Sequence, residues 1–583
     1  MGGIAGTRKL HTAHTVTLTG EQTQTSNKGG LRLALAGEIY NYAVLRSRLE
    51  DLGYVFETGT QAEVILNLYR QYGTSCITHI SGMFIIALYD GESDRLYIWR
   101  DRYGVKPCFY AVTKDSFVFA SSIREVKKML AMPVSCQKES VAWQQYFTVH
   151  SPVGPETIYN GIMELEPAHL LTVSPVYTNA AASCKLQTTL QQYYELPRVD
   201  EALSKKQGQF REKQEQSIEY DAKCLIQQAV KERLPLGSDI DILLSGGVDS
   251  AYLAALAVEA DVADVHTHTL QFICEKGREQ ELCDAVLAKK VADHLGTLHT
   301  TYTVTGQEAL ESLSQIAGAF DQPYSGGVSL FWLLQRVPEY ANILMTGDGA
   351  DEAFFGYSFH MQMYHVLHAQ YASPEDKSRA LKKLTNTLPG LDTGLWNMLL
   401  SDAMQERCAV TEHETVSFSR LMEDTDIVVQ TVMDHYYKVL LPGQVFRYVD
   451  TLSGVFNRQI RCPYMDERVV NMAYAMPPEA KMQDGQTKYV LKQLAAEKLP
   501  AEVWNRKKET FLPPIARWMH AEWKEYVLDM LSTDRLERTG HFKGDMVAYL
   551  LARFYAEEDC AWMAEYIWTV LMFELWCDAR NIK

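Results

Sequence analysis

None of the 11 cysteines of this chain, spread from Cys76 to Cys577, belongs to a C-x-x-C pair. That absence excludes the paired-thiol spacing of a structural zinc or dithiol site. An odd, scattered set points instead to buried free thiols in a reducing cytoplasm. Long apolar runs are missing too. The best of them, "YIWTVLMFELW", is too short to cross a bilayer and contains Glu574, so it reads as a buried C-terminal helix. The opening "MGGIAGTRKL" has no apolar leader core, and Gly6 stands where a myristoylation signal needs Ser or Thr. A cytoplasmic protein without a membrane partner is expected. Positive charge is in deficit: 56 Lys and Arg against 73 Asp and Glu leave a net charge of -17. Such a chain repels nucleic acid and anionic membranes, although a local basic pocket remains open to it. The phosphate loop G-x-x-x-x-G-K-[ST] does not occur, nor does any internal repeat or low-complexity stretch.

What is present is an ordinary globular balance, 47% hydrophobic and 22% charged, over 583 residues. That length exceeds one core and predicts two large domains. The early part carries short strand signals: "LRLALAGEIYNYAVL", "GMFIIALYD", "RLYIWRD" and "SFVFAS". "AEVILNLYRQYG" interrupts them with helical spacing and a closing glycine. These predict a layered α+β domain over 1–205. Its boundary falls in the charged linker "RVDEALSKKQGQFREKQEQ". From 206 to 583 the grammar alternates: helix "SIEYDAKCLIQQAVKERL", strand "DIDILLS", helix "SAYLAALAVEA", strand "DVHTHTLQF", helix "CDAVLAKKVADHLG", strand "NILMTG". Alternation of this kind predicts an α/β domain with a doubly wound parallel sheet, followed by a mostly helical part from about Ser373.

Two strand ends carry chemistry. "LLSGGVDS" runs an apolar strand into Ser245, Gly246 and Gly247, then opens a helix with Asp249 and Ser250. Glycines let backbone N–H groups approach an anion, and the helix start adds its positive end. Ser245 and Ser250 can donate to phosphate. Asp249 repels bare phosphate but suits a Mg²⁺ ion that holds it. The bland reading is a Gly-Gly turn with a capped helix, which a bare G-G-x-D-S leaves at even weight. The second strand end, "NILMTGDGADEAFFGY", offers Asp348, Asp351 and Glu352 where open α/β sheets bind ligands. Asp249 and Asp351 could share one Mg²⁺. Further on, Lys488, Arg506, Lys507 and Lys508 form a basic set that could neutralise developing charge, or simply face solvent.

In order along the chain, "GEIYN", "GMFIIALYD", "RDRYGVKP", "SGGVDS", "GDGADE", "RCPYMD" and "RKKETF" resemble the asparagine synthetase family, which includes the β-lactam synthetases. The resemblance spans nearly the whole chain. It implies a glutaminase-like N-terminal nucleophile domain followed by an ATP pyrophosphatase domain that adenylates a carboxylate for attack by an amine. It implies ATP as substrate and Mg²⁺ as cofactor. It assigns Ser245, Gly246, Gly247, Asp249 and Ser250 to the pyrophosphate loop, and Leu243, Leu270, Phe272 and Gly347 to the nucleotide. Asp249 and Asp351 match the metal carboxylates, and Lys508 matches a lysine that stabilises the intermediate. Asp348 is the candidate base, since Gln459 replaces an acid before the R-x-P-[FY]-x-D segment.

The glutaminase half departs from the family. The nucleophilic cysteine is replaced: Gly2 and Gly3 offer no nucleophile. Ala36 stands where the N-G-E motif has its oxyanion asparagine, and Gln61 where an aspartate anchors the glutamine amine. The segment with the carboxylate-binding arginine is missing. Gly37 and Glu38 remain as fold. The expected function is an AMP-forming amide synthetase without glutamine hydrolysis, acting on a small-molecule carboxylate and an amine that belong to one molecule or two. The β-lactam synthetases, whose amine is intramolecular, make a natural-product pathway, for example of the tabtoxin type, the leading setting. The alternatives are an ammonia-dependent asparagine synthetase, an intermolecular amide ligase and, from another class, a catalytically inactive binding partner. The intact ATP half speaks against the last. Nucleic acid is not an expected partner, and a homodimer is a possible assembly.

Overall fold

The computed structural model describes residues 3–9, 16–25, 30–114, 116–130, 133–177, 184–198, 212–235, 237–260, 262–273, 284–371, 373–385, 395–408, 425–483, 485–506, 512–557 and 561–582. Gly2, Lys507, Lys508 and the domain boundary at 205 lie outside them. The chain divides into two compact units: Met1–Gln137, Val153–Leu196 and Leu441–Asp450 make the first, and Lys138–Pro152, Pro197–Leu440 and Thr451–Lys583 the second.

The first unit holds two antiparallel sheets. Its strands are β1 (Ala5–Lys9), β2 (Val16–Thr19), β3 (Gln22–Thr25), β4 (Arg32–Ile39), β5 (Gly82–Asp90), β6 (Arg95–Arg100), β7 (Phe109–Val112), β8 (Ser116–Ala120), β9 (Ile162–Glu164), β10 (His169–Tyr177) and β11 (Cys184–Gln192). The five-stranded sheet runs β2-β1-β8-β7-β9, and the six-stranded sheet runs β11-β10-β6-β5-β4-β3. β4 and β5 read as near-continuous apolar runs because both their faces are covered. Leu33, Leu35, Ile86 and Leu88 pack against the helices Tyr42–Asp51 and Gln61–Tyr72. Ala34, Ala36, Ile85 and Ala87 meet Phe117 and Phe119 of the other sheet. This is the layered α+β sandwich the strand signals predict.

A short segment from far down the sequence completes this unit. Lys106 Nζ lies 2.9 Å from Asp450 Oδ1. The buried Glu164 pairs with Arg100 at 3.1 Å and with Arg447 at 2.7 Å. No local pattern in residues 441–450 announces this placement.

The second unit is built on a parallel sheet of β12 (Ile240–Leu243), β13 (Val265–Ile273), β14 (Leu298–Thr305), β15 (Ile343–Met345) and β16 (Gln459–Arg461), in the order β14-β13-β12-β15-β16. Strand order reverses between β12 and β15. Ligands of doubly wound sheets bind at the carboxyl ends of the strands flanking such a reversal. Beyond Ser373 the chain is largely helical, ending in the helix Ala561–Arg580. Among the described residues no helix is long and apolar enough to cross a membrane.

Candidate functional site

The two acid-bearing loops leave the two strands at that reversal. Ser245–Gly247 follow β12, and Thr346–Gly349 follow β15. Gly246 sits at φ 72°, and a Cβ there would stand 2.5 Å from the Asp284 carbonyl oxygen and 2.9 Å from the Ala288 nitrogen. Only glycine meets both demands. The Ser245 N–H donates to Ser250 Oγ at 3.1 Å, and the two hydroxyls lie 3.1 Å apart. The loop is thus cinched across its own mouth. Gly247 caps the helix Val248–Val258, which carries Asp249 in its first turn. The second loop presses against the first: a Cβ at Gly347 would stand 2.9 Å from Asp249 Cβ and 3.0 Å from the Ser250 nitrogen.

One cation joins them. Lys488 Nζ donates to Asp249 Oδ1 at 2.7 Å and Oδ2 at 2.5 Å, and lies 2.6 Å from Asp351 Oδ1. The lysine side chain is 2% exposed and each aspartate 14%. The sequence groups Lys488 only with the basic set around Arg506. Its place at the site depends on a 239-residue separation that no local pattern reveals. The two carboxylates converge on a single cation position. That donor set suits Mg²⁺, a hard ion that takes carboxylate oxygens, so these residues fit the metal that the resemblance implies.

Asp348 is half-buried beside them and accepts the Thr346 hydroxyl at 2.7 Å. Gln459 pairs with Ile343 at the amino end of β15, whereas Asp348 lies beyond its carboxyl end. Leu243 and Leu270 lie on β12 and β13, and the Phe272 ring packs edge-on against Trp332 and Trp518 at 6.2 and 5.8 Å. In "RCPYMD" the Tyr464 hydroxyl donates to the Asp249 carbonyl at 3.1 Å. Asp466 instead holds the frame, pairing with Arg233 at 2.9 Å and capping the helix Glu467–Ala475. Arg506 pairs with Asp284 at 2.5 Å.

Next to Asp351 in the chain is the buried Glu352, which takes a 2.7 Å hydrogen bond from the Tyr357 hydroxyl. Burial, and then the neighbouring Asp351 carboxylate, push the Glu352 carboxyl up from 4.5 to about 7. A raised carboxyl favours the folded protein while protonated. Its contribution is complete below pH 4.5 and is lost as pH rises to about 7. Over that window the wild-type unfolding free energy should fall by on the order of 3 kcal/mol relative to Glu352→Gln. Urea unfolding of both proteins across the pH series checks this, and parallel curves would refute it.

In the first unit two of the positions that depart from the family pattern, and the glycine between them, take part in the fold. Gly37, at φ 99°, directs its N–H to Glu21 Oε2 at 2.9 Å. Gln61 Oε1 accepts the Ile39 N–H at 2.8 Å. Ala36 is a buried core residue.

Comparison with known proteins agrees with this architecture. The model of the asparagine synthase family matches residues 221–578, and that of the glutamine amidotransferase domain matches residues 4–183. The chain belongs to the asparagine synthase family. It is 24% identical over 575 residues to asparagine synthetase [glutamine-hydrolyzing] 1 of Bacillus subtilis, covering 93% of this chain and 84% of that one. A putative asparagine synthetase [glutamine-hydrolyzing] of Mycobacterium tuberculosis H37Rv is 26% identical over 578 residues, with the same coverages. The amidase chyE of Penicillium rubens is 21% identical over 607 residues, covering 93% of this chain and 86% of that one. As a member of this asparagine synthase family, the protein is an ATP-dependent ligase that forms an amide bond.

Proposed function

We propose that this synthetase adenylates a small-molecule carboxylate and passes it to an amine without taking nitrogen from glutamine. The observation that supports the reading is that the two acid-bearing loops meet at the sheet reversal, whereas Gly2, Ala36 and Gln61 stand where the resemblance expects the glutaminase residues. The Ser245–Ser250 loop is cinched by its own hydrogen bonds and packs against the acidic loop, while in the first unit the Gly37 N–H donates to Glu21 Oε2.

In this reading the loop N–H groups and the hydroxyls of Ser245 and Ser250 bind the β and γ phosphates, and Leu243, Leu270, Phe272 and Gly347 border the nucleotide. Asp249 and Asp351 would hold Mg²⁺, which supplies neutralisation of charge on the phosphates. The substrate carboxylate displaces pyrophosphate at the α phosphorus, giving an acyl adenylate. Asp348, held by Thr346, takes the proton released as the amine attacks. The tetrahedral oxyanion needs a cation. Lys488 is the lysine placed at the loops, and Lys508 is the one that the resemblance assigns. AMP then leaves. An amine in the same molecule would give a lactam, as in β-lactam synthetases of natural-product pathways. An amine on a second molecule, or free ammonia, would give an open amide.

The test is a screen of pyrophosphate release over candidate amino acids, each supplied with glutamine, with ammonia or with no nitrogen source. Release with no added nitrogen source, together with AMP and a product that has the mass of the amino acid less one water, marks intramolecular amidation. Glutamate formed from glutamine should stay at the level of a blank without enzyme, because Gly2, Ala36 and Gln61 supply neither nucleophile nor oxyanion donor nor amine anchor. Glutamate production above that blank would refute the glutamine-independent reading.

A further inference from the structure

Lys488 makes an unusual contact for a basic residue of a magnesium site. Its ammonium sits on the shared side of both metal carboxylates, 2.5 Å from Asp249 Oδ2 and 2.6 Å from Asp351 Oδ1. A metal ion bridging the same oxygens would need that position. The surrounding backbone is bent to put the ammonium there. Seven described residues other than glycine have positive φ, and two of them meet here: Phe355 at 58° and Lys488 at 56°. For a bulky side chain that conformation persists only where neighbours impose it. The two segments are tied together: the Lys488 N–H donates to the Phe354 carbonyl at 3.1 Å, and the Gly356 N–H to the Asp351 carbonyl at 2.8 Å. Gly356 closes the fit, since a Cβ there would stand 1.8 Å from Asp351 Oδ1 and 2.2 Å from Lys488 Cε.

We propose that Lys488 is a built-in counter-cation, which holds Asp249 and Asp351 together in the metal-free protein and gives the two carboxylates up when Mg²⁺ arrives with the nucleotide. The inference rests on Asp249 and Asp351 being the magnesium ligands. Without a cation, two half-buried carboxylates aimed at one point repel each other and lack compensation. The lysine removes that penalty in the free protein. It also makes Mg²⁺ alone a weak ligand, because binding must displace an ammonium already paired. ATP changes the balance, since its phosphates give the released ammonium a new anionic partner and give the metal further oxygen ligands. The free site would stay assembled yet refuse the metal until the nucleotide comes.

The test needs no substrate and no turnover, so it stands apart from the proposed reaction. Wild type, Lys488→Met and the double variant Lys488→Met/Asp351→Asn are melted without nucleotide, in EDTA and in about 10 mM MgCl₂ at matched ionic strength. Lys488→Met should melt roughly 5–10 °C below wild type in EDTA, and Mg²⁺ should recover at least half of that loss. Wild type and the double variant should shift by less than about 1 °C, the one because its cation is in place, the other because the repulsion is gone. An equal Mg²⁺ shift in wild type and Lys488→Met overturns the proposal, as does a Lys488→Met protein no less stable in EDTA. Failure of Lys488→Met to fold in either buffer, with a folded double variant, also overturns it, because the metal then did not replace the lysine. Calorimetric titration of wild type with Mg²⁺ alone decides independently of any variant: dissociation constants above about 1 mM are expected, and saturation below about 0.1 mM overturns the proposal.

Discussion

Asp249→Asn should reduce carboxylate-dependent ATP–pyrophosphate exchange by on the order of 10³-fold, the scale of a lost charge contact in phosphoryl transfer. The change removes one negative charge and no volume. Asp249 stands in the first turn of the helix Val248–Val258, with its side chain 14% exposed at the loop mouth. The helix is held elsewhere, by the fully buried Ala251, Tyr252, Leu253 and Ala254. Lys488 keeps Asp351 as a partner, so no buried cation is left alone. The far-UV spectrum should therefore match wild type while exchange disappears. Retention of more than about a tenth of wild-type exchange at saturating Mg²⁺ would remove Asp249 from the metal site.

Gly246→Ala should be nearly as damaging, by about 10²-fold in exchange, through geometry alone. The residue lies at φ 72°, and the new Cβ would meet two backbone atoms, the Asp284 oxygen at 2.5 Å and the Ala288 nitrogen at 2.9 Å. Backbone cannot rotate away as a side chain can. Either the helix Asp284–Leu295 retreats or the loop flattens, and a flattened loop no longer aims its N–H groups at phosphate. Gly296 is the control. It has a similar φ of 71° but no atom within 4 Å of an added Cβ, so Gly296→Ala carries backbone strain of about 1 kcal/mol and leaves exchange intact. Equal losses of exchange in the two variants would mean that strain, not loop shape, is responsible.

These residues are legible in the sequence because each belongs to a local string. Strand, glycine pair, aspartate and helix come one after another in "LLSGGVDS", and the same sequence logic marks Asp348 and Asp351. Lys488 is legible only as one of four basic residues that could neutralise charge; its pairing with the two aspartates is not, since they lie 137 and 239 residues away, by 488 − 351 and 488 − 249, and its own neighbourhood, "GQTKYVL", reads as a turn and a helix. Strand β14 escapes a sequence reading for a physical reason as well. It is the edge of the parallel sheet, and most of Leu298–Thr305 is exposed or half-buried, so its apolar positions are sparse. β16 has three residues, too few to show a period. The helix Tyr42–Asp51 merges with the strand before it because the turn at Asn41 carries neither glycine nor proline. Glu21 cannot be matched to Gly37 from the sequence, for the bond joins the short link between β2 and β3 to β4 without any pattern in either.

The order of synthesis bears on the first unit in a way its strand pattern hides. Glu164 is 2% exposed between Arg100 and Arg447, and Lys106 has Asp450 as its ion-pair partner. When the ribosome has made residues 1–196, both sheets have all their strands, but Lys106 lacks its carboxylate and Glu164 has one guanidinium of two. About 250 further residues must emerge before Arg447 and Asp450 arrive, by 447 − 196 and 450 − 196. A nascent first unit thus waits with a closed core and an unfinished ionic edge. A chain cut at residue 205 would remain in that state permanently.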